Sequence, residues 1–212
     1  MKIDYICDCE QTNFNNNYSY WEDKESTEDE NEIIDFLKNN FLLKDKKILH
    51  IGIGNSNFAK TFSNIHEITG ITISKNEINY ANNLNLKKYN VLLLDKYSIN
   101  FKNYFKNHRF DLIVDPNLKS YSCCEKSFDF MFKNLSTFLS NNGIIITSRK
   151  GMNWYKKLKP KISFSLKKFF FFKLKEIEGN SKNTLTLEEL EDLSYKYKLK
   201  IKYNEKICEI KK

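Results

Sequence analysis

Short apolar runs alternate with amphipathic stretches along most of this chain, a pattern that predicts a regular succession of strands and helices. After a polar and aromatic opening without periodicity, Thr27-Glu28-Asp29-Glu30 reads as a capping box, with Thr27 as N-cap. The helix it opens runs to about Asn40 and aligns Ile33, Ile34, Leu37 and Phe41 at helical spacing. The pattern then switches. Lys47-Ile-Leu-His-Ile-Gly-Ile-Gly54 is a brief apolar run meeting glycines, as a buried parallel strand entering a tight turn does. Phe58 and Phe62, four apart, suit a short helix behind it. Glu67-Ile-Thr-Gly-Ile-Thr-Ile73 is a second strand. Ser74-Lys-Asn-Glu77 is a second capping box, whose helix buries Ile78, Ala81 and Leu84 or Asn85. Residues 89–94 and 110–114 predict the third and fourth strands, the latter stopped by Asp115-Pro116. Phe128, Met131, Phe132, Leu135 and Leu139 share one face of a helix that Asn141-Asn142-Gly143 is expected to end, before a fifth strand at 144–147. Thr186-Leu-Glu-Glu189 opens a last helix to about Tyr197, and two β-like runs, 199–203 and 206–210, predict a terminal hairpin.

Alternating strands and helices imply an α/β fold with a mostly parallel sheet, right-handed crossovers, helices on both faces and a closing antiparallel hairpin. At 212 residues there is room for one well-buried core. The division expected is an N-terminal flap over 1–26, a ligand-binding domain over 27–212, and a basic, aromatic insertion at 150–180 within it.

Composition changes this picture little. No run of about 18 apolar residues is present, so no membrane-spanning helix is expected. Acids stand near the N-terminus where a signal peptide needs an apolar run, and a cytoplasmic protein is the expectation. The formal charge of +8 raises nucleic acid as a partner. It is not the favoured one: Lys, Asn, Ile, Phe and Tyr are abundant together, as AT-rich coding produces, and Arg109 and Arg149 are the only arginines. Five cysteines show no zinc spacing, Cys7-x-Cys9 and Cys123-Cys124 lacking the usual spacer, so no metal and free thiols are expected.

The chemistry centres on Leu49-His-Ile-Gly-Ile-Gly-Asn-Ser56. A strand ending in Gly-x-Gly turns sharply and lets a ligand approach the main chain, and the next helix presents its N-terminal amides there. A P-loop is excluded because the Gly-Lys-Ser/Thr ending is missing. A dinucleotide fingerprint fits poorly, since Asn57 replaces its third glycine and Thr72 stands where an acid ends the second strand.

From about residue 30 onward the chain resembles the Rossmann-like class I S-adenosylmethionine (SAM)-dependent methyltransferases, with a seven-stranded sheet. Residues 47–56 are similar to that family's first motif, in which the glycine loop lies under the methionine part of SAM. Gly70-Ile-Thr-Ile-Ser-Lys-Asn-Glu77 resembles the second-strand form of the cyclopropane and mycolic-acid synthase branch. Leu94-Asp95 is similar to the third-strand segment whose acid accepts a hydrogen bond from the adenine amino group, and residues 110–115 and 139–146 resemble later blocks. The resemblance implies a methyltransferase that converts SAM to S-adenosylhomocysteine. It places the cofactor against Gly52, Ile53, Gly54, Asn55, Ser56, Thr72, Ile73, Glu77, Asp95 and Lys96. The chain departs from the pattern at His50, where the family commonly has an acid, at Ser56, where the third small loop position is glycine, and at Thr72, where it has the ribose-binding acid.

Each residue also has a plainer reading. His50, inside an apolar strand, reads as a hydrogen-bonded core imidazole rather than a catalytic one. Glu77 is either the capping-box partner of Ser74 or the ribose ligand. Asp115-Pro116-Asn117 sits at the ligand-bearing rim, resembling weakly the Asn/Asp-Pro-Pro-aromatic signature of amino methyltransferases, and is equally a proline-stopped strand. Asp115, Tyr121 and Lys150 are the candidates for proton removal by position. Asn117, Arg149, Trp154 and Trp21 are candidates for holding the acceptor, the cations suggesting an anionic one. A small-molecule or glycan-type acceptor suits so compact a chain; an RNA or other nucleic-acid methyltransferase using residues 150–175, and a non-catalytic SAM-binding protein, are the alternatives.

Overall fold

A computed structural model describes residues 5–7, 9, 25–40, 45–153 and 184–212. Helix α1 (Glu28–Asn40) leads into β1 (Lys47–Ile51), α2 (Asn57–Phe62), β2 (Glu67–Thr72), α3 (Lys75–Asn83), β3 (Tyr89–Leu93), α4 (Ile99–Phe105) and β4 (Phe110–Val114). Then follow α5 (Glu125–Phe138), β5 (Leu139–Ser148), a 3-10 turn at Gly151–Asn153, α6 (Leu187–Lys196), β6 (Lys200–Tyr203) and β7 (Ile207–Lys211). All three expected capping boxes form at their N-caps: Thr27, Ser74 and Thr186 accept from the amides of Glu30, Glu77 and Glu189.

The strands form one sheet in the order β3-β2-β1-β4-β5-β7-β6. β1 to β5 run parallel, and β7 joins β5 antiparallel with β6 outside it, so the terminal hairpin supplies the sheet's last two strands. Alternation along β1 sends Ile48 to one face and Leu49 to the other. Ile48 meets Ile33, Ile34 and Leu37 of α1 and Phe58 and Phe62 of α2. Leu49 joins Phe101 and Phe105 of α4, Phe128, Met131 and Phe132 of α5 and Leu190 of α6. Helices thus cover both faces, as buried parallel strands require. Among the described residues no helix is long and apolar enough to cross a membrane.

Two elements differ from the sequence pattern. α4 lies in a stretch where no helix was expected; its signal is Ser98, whose hydroxyl caps the Phe101 amide, with buried Phe101 and Phe105 four apart. The fifth strand begins much earlier than expected. α5 ends at Phe138 and the chain passes directly into β5, so Leu139 is a strand residue and Asn141-Asn142-Gly143 does not stop a helix. Leu139 pairs with Phe110, but Ile144 pairs with Leu112: β4 advances by two residues while β5 advances by five. The excess bulges outward at Ser140, Asn141 and Asn142, and Ser140 Oγ donates to Asp111 3.2 Å away. Gly143 closes the bulge because nothing larger fits. A β-carbon there would stand 2.7 Å from the Phe110 carbonyl oxygen and 2.9 Å from the Ser140 nitrogen. Since those are backbone atoms, Gly143→Ala should destabilise the fold by about 1–3 kcal/mol, measured as a lower urea midpoint at unchanged slope.

Candidate functional site

The parallel register brings four strand ends to one rim. Ile51 of β1 pairs with Ile71 of β2, Thr72 pairs with Leu93 of β3, and His50 pairs with Val114 of β4. Gly52, Thr72, Asp95 and Asp115 therefore leave the sheet side by side, across roughly 14 Å at the usual strand spacing. Open α/β sheets hold ligands at this carboxyl edge. A groove of about 540 Å³ lies at the opposite edge, lined by the first residues of the strands, Lys47, Glu67, Tyr89 and Phe110.

β1 leaves the sheet in a tight turn. The Gly52 amide donates to the Ile71 carbonyl (2.9 Å), the Ser56 amide donates to the Ile53 carbonyl (2.7 Å), and Gly52, Gly54 and Ser56 have φ of 78°, 48° and 57°. A β-carbon on Gly52 would meet no atom of the described residues within 4 Å. This glycine is required by backbone shape, and among the described residues the space over it is open. Ile53 and Ser56 behave otherwise than expected. Both are fully buried, Ile53 packing toward Gly70 and Ser56 Oγ lying 3.0 Å from the Tyr89 hydroxyl, so their side chains face the interior rather than a ligand. Asn55 is buried in the same turn, and Ile73 is half-buried where β2 ends.

Beside the turn, Thr72 Oγ1 donates to Glu77 Oε2 at 2.6 Å. Both readings of Glu77 meet here: its amide is capped by Ser74 while its carboxylate reaches back to the end of β2, the place of the acid that the strand lacks. Asp95 is buried and doubly engaged, Oδ1 accepting from the Tyr97 amide (2.9 Å) and Oδ2 from the Tyr5 hydroxyl (2.7 Å). Burial and the Asp95 carboxylate push the Tyr5 hydroxyl above its usual range, so it stays a proton donor. The N-terminal segment thus rests on the atom expected to meet adenine.

No family model matches the sequence, and no curated protein matches it. Solved structures do match the fold. A SAM-dependent methyltransferase from Clostridium acetobutylicum superposes with a TM-score of 0.60 at 17% identity, over 92% of this chain and 91% of that one. Another from Aquifex aeolicus gives 0.55 at 12% identity, over 92% and 96%. Magnesium protoporphyrin IX methyltransferase from Synechocystis, with bound SAM, gives 0.55 at 10% identity, over 86% and 77%. The fold is that of the class I SAM-dependent methyltransferases.

On this methyltransferase fold the remaining candidates are largely tied to the protein itself. Lys96 turns inward. Its Nζ is buried against Asp115 Oδ2 (2.7 Å) and the carbonyls of Asn117 (3.1 Å) and Leu118 (3.0 Å). The same contact occupies Asp115, whose Oδ1 accepts from the Asn117 amide (3.2 Å), so this carboxylate holds the loop rather than standing ready as a base. The Asn117 side-chain nitrogen faces the Gly151 carbonyl and the Asp29 carboxylate, each at 3.2 Å. Lys150 pairs with Glu28 at the start of α1, which raises its pKa, the opposite of what a proton acceptor needs at neutral pH. Arg149 turns to the terminal hairpin, donating to the Asn204 carbonyl (3.2 Å) over the Tyr203 ring. Tyr121 stands exposed at the rim with φ of 61°. Trp21 and Trp154 lie outside the described residues.

The sequence pattern did not single out Glu30 or Lys119 for these roles. Lys119 is buried between Glu125 and Glu189, joining the loop after β4 to α6. Glu30 enters the core opposite His50, where Oε1 accepts from the Phe58 amide (3.3 Å) and Oε2 from Ser26. An acid is therefore supplied near β1 by α1 rather than by the strand. His50 is wholly buried against the Phe58 ring, but among the described residues neither ring nitrogen has a hydrogen-bond partner, and the nearest Glu30 oxygen is 3.6 Å away. The expected hydrogen-bonded imidazole is instead an unpartnered one, kept neutral because burial pushes its pKa down to about 3.

Burial pushes Glu30 up to about 7 against the pull of Ser26 and the Phe58 amide. A carboxyl raised by folding contributes stability below its unfolded value, and that contribution is lost as pH rises through about 7. His50 has the reverse sign, its contribution fading as pH falls from its ordinary value near 6.5 toward 3. Glu30→Gln removes only the first effect. Urea unfolding at pH 5 and pH 8 should show the variant gaining about 2 kcal/mol on the parent between the two.

Proposed function

We propose that this chain binds SAM along the rim from Gly52 to Asp95 and transfers its methyl group to a small-molecule or glycan-type acceptor, leaving S-adenosylhomocysteine. The space over Gly52 that the described residues leave open, at the end of the central strand of a methyltransferase fold, carries the reading. The methionine part would lie over that bare turn, and Glu77, steadied by Thr72, would accept from the ribose hydroxyls. Adenine would take the Asp95 side, where Tyr5 must yield or share the carboxylate. Within the class, the segment from Gly70 to Glu77 favours the cyclopropane and mycolic-acid synthase branch.

SAM, when bound, supplies a sulfonium-activated methyl group, so the protein's task is to align donor with acceptor and exclude water. Tyr121, exposed at the rim, is a candidate on the acceptor side, and Asp115, Lys150 and Arg149 are held by internal partners. Those same partners favour a second reading, a SAM-binding protein without catalysis. An assay for S-adenosylhomocysteine over a broad acceptor pool separates the two.

Calorimetry tests the site itself. The parent should bind SAM and S-adenosylhomocysteine with one site, Gly52→Asp should abolish binding, and Glu77→Gln should weaken it roughly 10-fold or more. A Gly52→Asp protein that binds as tightly as the parent would place the pocket elsewhere.

A further inference from the structure

Four of the five cysteines, far apart in sequence, converge where the N-terminal segment crosses the rim. Cys7, Cys9, Cys123 and Cys124 have sulfur atoms that all lie within 4.8 Å of one another. Cys7 and Cys123 are 3.3 Å apart, and Cys123 and Cys124 are 3.8 Å apart. We propose that these four thiols are the ligands of a single thiophilic divalent cation of the zinc class, which fastens the N-terminal segment to the loop before α5.

The geometry favours one ion. Zinc–sulfur bonds of about 2.3 Å in a tetrahedron put the sulfurs about 3.8 Å apart, the spread seen here. An iron–sulfur cluster inserts its own irons and sulfides between the cysteines and needs them farther apart. Local structure explains how an unusual spacing serves. Cys7 and Cys9, two apart in sequence, both bring their sulfurs to the cluster. Cys123 and Cys124 follow the left-handed Tyr121, and Cys124 is itself extended at the N-cap of α5, where the helix end favours thiolate charge. Two residues from Cys7, Tyr5 bridges to Ser98 and bonds Asp95, so the ion would fix the segment lying over the rim. The proposal departs from the expectation of no metal because sulfurs that lack zinc spacing along the chain come together in space. The proposal does not depend on which ligand the rim binds.

The full chain, reduced and stripped with a chelator under argon, should be titrated with cobalt(II) and then zinc. One equivalent of cobalt should give the intense visible bands of a tetrahedral thiolate site, and zinc should bleach them. Cys9→Ser and Cys124→Ser should each weaken cobalt binding by at least the ~10- to 100-fold that outer-sphere partners alone are worth, while Cys208→Ala, at the buried cysteine outside the cluster, should leave it unchanged. Circular dichroism of each variant checks that loss of binding is not loss of fold. Hydrogen exchange at residues 5–9 should slow when zinc is added. A folded, reduced protein that binds no cobalt, gives a pale octahedral spectrum, or binds equally well in both serine variants overturns the proposal.

Discussion

The pairing of β1 with a parallel neighbour on each side is the constraint from which the candidate site follows. A strand buried on both faces and both edges can change direction only beyond its last ladder bond. For β1 that bond is the Gly52 amide to the Ile71 carbonyl, after which the backbone enters positive φ. The ladder sets where the turn occurs, and the turn sets where side chains must be missing. Because β2 and β4 flank it in register and β3 flanks β2, the acids that follow these strands reach the same rim.

The sheet was legible because its evidence is periodic. Apolar runs of strand length, capping boxes and the terminal hairpin each rest on neighbours in sequence, and each formed. The missed helix α4 is short, and its Phe101 and Phe105 sit among lysines and asparagines that dilute the pattern. The mistaken helix end at Gly143 shows the opposite failure. Asn-Asn-Gly is a good helix stop by local chemistry, but here the glycine is required by the Phe110 backbone across the sheet, a contact no local window contains.

Site residues were legible as positions and much less so as partners. Gly52 stands in the turn after β1, and Thr72 and Glu77 meet at the end of β2. Asp115 also follows a strand end at the rim, but Lys96, arriving from the loop after β3, pairs with it at 2.7 Å and out of water. The departures at His50 and Thr72 are met from the same source. In each case a helix brings in the carboxylate that the strand lacks, Glu30 near His50 and Glu77 on Thr72. The two acids differ in burial, and that difference decides their chemistry. Glu30, closed off from water, is driven toward its neutral form, whereas Glu77 is half-buried at the rim and able to meet a polar ligand.

The N-terminal segment adds a coupling that the sheet alone would not have. Tyr5 and a cofactor adenine group would both donate to Asp95, and Oδ1 is already taken by the Tyr97 amide. On the proposed reading, two donors drawn to one oxygen would make the seating of the segment and the binding of the nucleoside mutually dependent, by the same free energy in each direction. Fastening the segment through Cys7 and Cys9 would weight that balance toward Tyr5, and releasing it would weight it toward the ligand. A single carboxylate would then report the state of the thiol cluster to the rim, with no rearrangement of the sheet required.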